Sequence, residues 1–133
     1  MDLKDRIKII KRNKIHDTRG WFLKVITGNE DNLPNFTGEI YVVSAIEGES
    51  RANHYHIKAN EWFCLVQGEV QMYVEDIKTK ERISITLNAD SPVSVYVPNN
   101  VAHSFNNISN IPFILITYTD KLYVPEDTVS YPF

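Results

Sequence analysis

The sequence contains little of what characterises several large classes of protein. It has one cysteine, Cys64, so an internal disulfide and a zinc site built from several cysteines are both excluded. The longest mostly apolar stretch, 111–118, is far shorter than the roughly 20 residues that a membrane-spanning helix needs. Residues 1–14 lack the apolar core of a signal peptide. We therefore expect a cytoplasmic protein with no membrane partner.

Charge of one sign and flexible linkers are also scarce. The 14 basic and 17 acidic residues are interspersed, and the formal net charge is −3, so nucleic acid is not an expected partner. Only 5 glycines and 6 prolines occur, too few and too scattered to mark a linker. Because 43% of the residues are hydrophobic, the chain has enough apolar surface for a core, and we expect a single domain over 1–133.

Short runs of β-branched and aromatic residues, separated by turn residues, dominate the sequence instead. No segment sustains a helical period, and 124–130 is only a weak helix candidate. Strands are predicted at 38–45, 61–66, 69–75, 82–87, 92–97 and 112–119, with earlier candidates at 6–10 and 21–27. Many short strands at a spacing of roughly ten residues indicate an all-β sandwich or barrel, whose interior can hold a ligand.

The histidines provide the clearest functional signal. His54 and His56 are two residues apart, so in an extended strand both imidazoles project to the same face. Glu61 follows closely and His103 lies downstream, whereas His16 is expected in a surface position. A histidine on an apolar strand is often only a hydrogen-bonded structural residue. Three neutral imidazoles and one carboxylate together suit a divalent ion such as Zn, Mn, Fe or Ni.

The spacing of these residues resembles the two cupin motifs. The residues of the first motif, G-x5-H-x-H-x3,4-E-x6-G, are Gly48, His54, His56, Glu61 and Gly68. Residues 98–107, which include His103, resemble the second cupin motif. Pro92 and Asn100 stand where that motif has its two glycines. This resemblance implies a cupin barrel, the double-stranded β-helix or jelly roll, in which His54, His56, Glu61 and His103 converge.

Further segments resemble cupins that act on nucleotide-linked sugars. The segment 17–22, DTRGWF, resembles the D-x-R-G-x-F segment of RmlC-like dTDP-sugar 3,5-epimerases and the opening of FdtA-type 3,4-ketoisomerases. Arg51 stands three residues before His54, as in both families, and H-x-H together with the segment DSP at 90–92 resembles the ketoisomerases. The ketoisomerases of this type work without a metal and generally lack a glutamate at the position of Glu61. In having this glutamate, the chain resembles the CapF-type cupin, which binds zinc. The resemblance therefore leaves two alternatives open: an enzyme that requires no cofactor, and one that requires a divalent metal.

The resemblance implies an isomerase or epimerase of a nucleotide-linked 4-keto-6-deoxyhexose in surface-polysaccharide synthesis. His54 or His56 would move a proton beside the ketone, because histidine titrates near neutral pH. Arg51 would stabilise an oxyanion or bind a phosphate, and Tyr41 or Tyr96 would donate a proton or a hydrogen bond. No glycine-rich phosphate-binding loop is present, so side chains must hold the substrate. The candidates are Arg19, Trp21, Arg51, Lys58 and His103.

Two other functions remain as alternatives. A metal-dependent cupin dioxygenase or small-acid isomerase would also use the His–His–Glu–His set, and a non-catalytic cupin would bind a sugar without turnover. The resemblance also implies a homodimer, with residues 1–15 as an edge strand or a strand exchanged between subunits. Cys64 lacks a basic neighbour in the sequence and is expected to be a small buried hydrophobic residue.

Overall fold

The computed structural model describes residues 1–36 and 38–133, and most of its regular structure is β-strand. The first elements are a short helix, α1 (Leu3–Arg6), and the strands β1 (Lys8–Lys11), β2 (Lys14–Asp17) and β3 (Gly20–Leu23). They are followed by β4 (Ile40–Ala45), β5 (Ser50–His56), β6 (Glu61–Gln67), β7 (Glu69–Asp76), β8 (Arg82–Asn88), β9 (Val93–Val97), β10 (Val101–Asn107) and β11 (Phe113–Thr119). A single 3-10 turn, Pro125–Asp127, leads into β12 (Thr128–Ser130). Among the described residues no helix is long and apolar enough to span a membrane.

Ten of these strands form two five-stranded antiparallel sheets. The strand order is β1-β9-β6-β11-β4 in one sheet and β12-β5-β10-β7-β8 in the other, while β2 and β3 form a separate hairpin. Apolar side chains from both sheets meet in one core cluster, which includes Phe63, Met72, Val95, Phe105 and Leu115. Alternation along each strand places these side chains inside. The all-β barrel predicted from the sequence is confirmed.

The interior changes from apolar to polar along the barrel, and two aromatic rings mark the boundary. The ring centroids of Phe63 and Phe105 are 4.9 Å apart. On their polar side lies His103, with ring centroids 5.2 Å from Phe63 and 6.1 Å from Phe105. The apolar part of the core therefore supports the end of the barrel where the polar side chains collect.

The irregular segment 24–36 covers the outer face of the first sheet. The Ser94 hydroxyl donates to the Val25 carbonyl (2.7 Å), and the Trp62 indole N–H donates to the Asn32 carbonyl (3.2 Å). A buried ion pair between Arg12 and Glu30 joins the segment to the end of β1. Cys64 lies under this cover, fully buried, and burial raises the pKa of its thiol. This confirms the prediction that Cys64 is a buried residue.

Several local predictions need correction. The helix expected at 124–130 is wrong beyond the 3-10 turn, because Thr128 and Val129 pair with β5 as strand β12. Pro125 suits the first position of that turn, and the β-branched residues after it favour extended backbone. The strand expected at 21–27 ends at Leu23, and the strand expected at 6–10 begins only after α1. The runs do not predict β2, β10 and β12 as strands, and they indicate β5 only through the paired histidines His54 and His56.

The N-terminal strand lies at the edge of a sheet, as expected. β1 pairs with β9 of the same chain, with Lys8 opposite Tyr96 and Lys11 opposite Val93. Exchange of this strand between subunits stays a prediction.

Candidate active site

A bulge in β5 brings Arg51 and His54 to one face of the strand. Opposite β10, His54 pairs with His103 and Arg51 pairs with Phe105, with a register shift between the two pairs. The extra residue lies at Ala52–Asn53, where both residues have positive φ (73° and 56°). In a regular strand, residues three apart point to opposite faces, and one inserted residue restores a common face. The bulge therefore directs the arginine and the histidine towards the same interior space.

The predicted cluster of His54, His56, Glu61 and His103 forms in the structure. Their candidate ligand atoms all lie within 4.8 Å of one another. The ring of His54 lies 4.8 Å from the ring of His56 and 5.0 Å from that of His103, measured between centroids. Strands β5 and β10 contribute the histidines, and Glu61 begins β6 in the opposite sheet. The two sheets thus close on one polar centre.

Contacts at Nδ1, the ring nitrogen that faces away from the cluster, orient His103 and His56. His103 Nδ1 lies 3.2 Å from the Val101 carbonyl oxygen, which only accepts hydrogen bonds, so this nitrogen carries the proton. His56 Nδ1 lies 3.3 Å from the Thr128 hydroxyl and 3.9 Å from Asp127 Oδ2, a carboxylate oxygen that favours the same tautomer. In both rings the Nε2 lone pair is then left to face the cluster.

These lone pairs converge on one oxygen of Glu61. Glu61 Oε1 lies 2.9 Å from His56 Nε2 and 3.4 Å from His103 Nε2. Although the contacts are short, within the described residues neither Glu61 Oε1 nor His56 Nε2 makes an aligned hydrogen bond, and both atoms are buried. With both rings neutral, acceptors that face one another at this distance repel unless a proton or a metal cation lies between them. The donor set therefore fits a divalent metal ion.

The electrostatics of the cluster favour positive charge beside Glu61. Burial alone would raise the pKa of Glu61, but His103 and His56 outweigh it and hold the pKa well below its usual range. Burial would likewise lower the pKa of His56, yet Glu61 and Asp127 raise it. His54 behaves differently: burial, together with His103 and His56, lowers its pKa to about 4. The lowered pKa favours the neutral imidazole of His54 at pH 7.

A cavity of about 230 Å³ opens beside the cluster. Arg51, His54, His103 and Tyr41 contribute to its polar lining. The Tyr41 hydroxyl donates to Glu61 Oε2 (2.9 Å), and burial and the Glu61 charge raise the pKa of this phenol far above its usual value. Arg51 Nε donates to the Ser44 carbonyl (2.8 Å), which holds the guanidinium at the cavity wall. A small polar substrate placed here would contact a neutral base, a cation and a phenol.

The structure does not bring the other predicted residues to this centre. Tyr96 is buried on the outer face of β9 against Trp62, with ring centroids 5.2 Å apart, because Val95 and Val97 take the interior positions. Arg19 lies in the β2–β3 turn and pairs with Asp17, with Nη2 and Oδ2 2.7 Å apart. Trp21 is half exposed on the same hairpin, beneath the Lys14 ammonium.

Lys58 lies nearer, on the rim beyond His56. It lines a mainly apolar groove of about 510 Å³ together with Ile57, Leu122 and Val124. A narrower cavity between this groove and the cluster is lined by His56, Glu61 and Tyr41. Lys58 is therefore placed at a second approach to the site.

Two residues of the site were not predicted from the sequence. Asp127 and Thr128 contact His56 from the C-terminal segment, although Thr128 lies 72 positions after His56 in the chain. In the sequence, 123–128 resembles the closing segments of the RmlC-like and ketoisomerase cupins, and this resemblance is the one signal that points to them. No local pattern indicates that this segment returns to β5.

The two-sheet fold and its three histidines with one glutamate define a small cupin barrel. The chain belongs to the family described as Polysaccharide biosynthesis C-terminal domain, whose model matches residues 15–131. It is similar to the spore coat polysaccharide biosynthesis protein SpsL of Bacillus subtilis (strain 168). The two are 28% identical over 127 residues, which cover 92% of this chain and 83% of SpsL.

Solved structures of sugar-modifying enzymes share this fold. A dTDP sugar isomerase from Desulfovibrio desulfuricans G20 superposes with a TM-score of 0.86 at 17% identity, over 95% of this chain and 83% of the other. The epimerase RmlC from Legionella pneumophila Philadelphia 1, in complex with dTDP-4-keto-L-rhamnose, superposes with a TM-score of 0.83 at 20% identity. That match covers 95% of this chain and 72% of the epimerase. The resemblance to RmlC-like cupins is confirmed.

Proposed function

We propose that this protein is an isomerase or epimerase of a nucleotide-linked 4-keto-6-deoxyhexose that serves polysaccharide biosynthesis. The observation that carries the proposal is that Arg51 and His54 lie on the same wall of one cavity, which Tyr41 also lines. Family membership supports the polysaccharide context. The names of the similar solved structures, a dTDP sugar isomerase and a dTDP-sugar epimerase, support the substrate class.

The chemistry follows from the acidity of a carbon beside a ketone. Removing its proton gives an enolate, so the site must supply a base and stabilise the oxyanion. His54 faces the cavity in its neutral form and takes the proton. Arg51 places a permanent positive charge on the same wall, where it stabilises the oxyanion or a phosphate of the substrate. In ketoisomerisation the enolate oxygen O4 gains a proton, the C3 hydroxyl loses its proton as C3 becomes the ketone, and the carbon proton is delivered to C4. In epimerisation a donor other than His54 returns a proton to the original carbon from the opposite face.

Tyr41 acts as a hydrogen-bond donor in this proposal. Burial and Glu61 keep its phenol protonated, so its one O–H remains available as a donor at working pH. Its hydroxyl already donates to Glu61 Oε2, which fixes both side chains at the boundary between the cavity and the cluster. Lys58 stands on the outer approach and is suited to contact the nucleotide diphosphate.

A divalent metal ion is part of the proposal. His56, Glu61 and His103 would hold it, with His54 within reach as a fourth ligand. When bound, such an ion acts as a Lewis acid that polarises the ketone oxygen. A histidine bound to a metal cannot also serve as a free base. We therefore assign metal binding to His56, Glu61 and His103, and proton transfer to His54.

A homodimer also belongs to the proposal. The β2–β3 hairpin forms a sheet of its own, in which Ile15 and Phe22 pair on one face and Trp21 lies on the other, each at least half exposed. Exposed apolar side chains that adjoin in this way, as Ile15 and Phe22 do, are typical of interfaces. Light scattering of the purified protein is expected to give twice the chain mass, and a monomeric mass would contradict the dimer.

The experiment is a product analysis with two substrates, the dTDP- and UDP-linked 4-keto-6-deoxyglucoses. Proton NMR will show migration of the ketone to C3 for a ketoisomerase, or inversion at C3 or C5 for an epimerase. His54→Asn is expected to abolish the reaction, while His16→Asn, on the exposed hairpin, retains it. If both substrates stay unchanged with the wild-type protein, the proposal fails. Oxygen consumption with bound iron would then favour the metal-dependent dioxygenase, for which the same His–Glu cluster is suited.

A further inference from the structure

We propose that the C-terminal segment 127–133 is a positioning clamp for His56, with Thr128 and Asp127 as its positioning residues. This segment fixes the imidazole so that Nε2 faces Glu61, and it thereby sets the affinity of the cluster for a divalent cation. The inference rests on the proposed metal-holding role of His56, Glu61 and His103. It does not depend on which sugar, if any, the protein converts.

The first observation is the contact between β12 and His56. Thr128 pairs with His56 across the two strands, and its hydroxyl lies 3.3 Å from His56 Nδ1. Asp127 Oδ2 lies 3.9 Å from the same nitrogen. The hydroxyl fixes the ring orientation, and the nearby carboxylate, which only accepts, favours the tautomer with a proton on Nδ1. Contacts of this kind orient metal-binding histidines in general.

The second observation concerns the loop between His56 and Glu61. The Asp127 carboxylate accepts from the backbone N–H of Lys58 (2.7 Å, Oδ1) and of Ala59 (3.2 Å, Oδ2). The Asp127 carbonyl accepts from the N–H of Ile57 (3.0 Å). One residue of the C-terminal segment thus holds three successive amides of the loop that joins two of the candidate ligands. The separation of His56 from Glu61 depends on this loop.

The third observation is that the end of the chain anchors the clamp. The Tyr131 N–H donates to the Asn53 carbonyl (2.8 Å), at the bulge of β5, and the Tyr131 hydroxyl donates to Glu75. The Phe133 ring lies 6.4 Å from the ring of Tyr73, in a stacked arrangement, and 5.1 Å from the Arg82 guanidinium carbon. The segment therefore contacts β5 at both the bulge and His56, and it is held by β7 and β8.

The decisive variants differ by one hydroxyl. Thr128→Val keeps the shape and the β-branched backbone preference but removes the contact to Nδ1, whereas Thr128→Ser keeps the hydroxyl. Thr86→Val, an exposed threonine of β8, is the matched control. Zinc affinity is measured by competition with a chromophoric chelator. Thr128→Val is expected to weaken zinc binding by about 10-fold or more, while Thr128→Ser and Thr86→Val stay near the wild-type value.

A second readout separates positioning from general stability and needs no metal. The ¹⁵N shifts of the His56 ring, measured in metal-free protein at a pH high enough to keep the ring neutral, report which nitrogen carries the proton. We expect an Nδ1–H signature in the wild type and in Thr128→Ser, and a mixture of tautomers in Thr128→Val. Unchanged zinc affinity together with unchanged His56 shifts in Thr128→Val would overturn the inference.

The outcomes also distinguish this inference from the proposed function. Zinc binding that depends on the Thr128 hydroxyl, in a protein that converts no keto-sugar, supports the clamp and contradicts the isomerase. Keto-sugar turnover by a wild-type protein that binds no zinc overturns the metal-affinity part of the clamp.

Discussion

Arg51 and His54 lie on the same face of β5 although they are three residues apart. Ala52 and Asn53 form a bulge between them, and both adopt positive φ. Strained backbone of this kind persists where the surrounding structure holds it, and it is frequent at functional sites. The bulge is what joins a cation and a neutral base in one cavity, so its geometry is open to direct test.

The bulge predicts opposite outcomes for two substitutions of Asn53. Asn53→Gly suits a φ of 56°, whereas Asn53→Val places a β-branched side chain in left-handed backbone, at a cost of about 1–2 kcal/mol. Both variants lose the side-chain hydrogen bond to Ser50, so the comparison isolates the backbone effect. Urea unfolding and turnover are measured together. If Asn53→Val were as stable and as active as Asn53→Gly, the bulge would not be essential.

Two tyrosines that look equivalent in the sequence should respond differently. Tyr41→Phe removes the donor to Glu61 Oε2 and is expected to lower kcat by about 10- to 100-fold. Tyr96→Phe changes a residue packed on the outer face of β9 against Trp62 and should leave kcat at the wild-type value. Steady-state kinetics on folded variants, checked by circular dichroism, decide the question. A large loss in Tyr96→Phe alone would contradict the site described above.

Acid sensitivity is expected from the buried pair that anchors segment 24–36. Burial alone would raise the pKa of Glu30, but the amide of Thr27 and the Arg12 guanidinium outweigh it, and the pKa falls to about 2. Because the folded-state value lies below the unfolded value, this stabilisation is complete above the unfolded pKa of 4.5. It is then lost as the pH falls through about 2.

Glu30→Gln tests this dependence, because the amide cannot titrate. The difference in free energy of unfolding between wild type and variant should shrink as the pH falls from 5 towards 2. Urea unfolding at a series of pH values measures it. A constant difference over that range would show that Glu30 ionisation does not stabilise the fold.

Arg51 provides a test of charge against geometry. Arg51→Lys keeps a positive charge but loses the Nε contact to the Ser44 carbonyl and the planar fork that binds oxyanions or phosphates. We expect kcat/KM to fall in Arg51→Lys and to fall further in Arg51→Gln. Equal losses in the two variants would mean that fixed geometry, and not charge, is the essential contribution.

The sequence predicted the parts of the fold that depend on local alternation and spacing. The period of an extended strand placed His54 and His56 on one face, and the resemblance to the cupin motifs implied that Glu61 and His103 converge with them, which the structure shows. Tyr96 illustrates a signal that was present but not used. Its neighbours Val95 and Val97 are interior residues, and strict alternation then places Tyr96 outside.

Other features depended on contacts that no local pattern contains. Arg51 would lie on the wrong face of a regular strand, and only the register against β10 reveals the bulge. Asp127 and Thr128 reach His56 because β12 pairs with β5, which is a long-range strand contact. A weak helix preference after Pro125 was overridden by that pairing, since tertiary contacts outweigh local propensity over so few residues.

The central claim is proton transfer by His54 beside a sugar ketone, and solvent exchange tests it most directly. The purified protein is incubated with dTDP-4-keto-6-deoxyglucose in D₂O, and proton NMR follows the signals at C3 and C5. The account predicts deuterium uptake at one of these carbons or migration of the ketone to C3, with both lost in His54→Asn. Absence of exchange with wild-type protein, or undiminished exchange in His54→Asn, would contradict it.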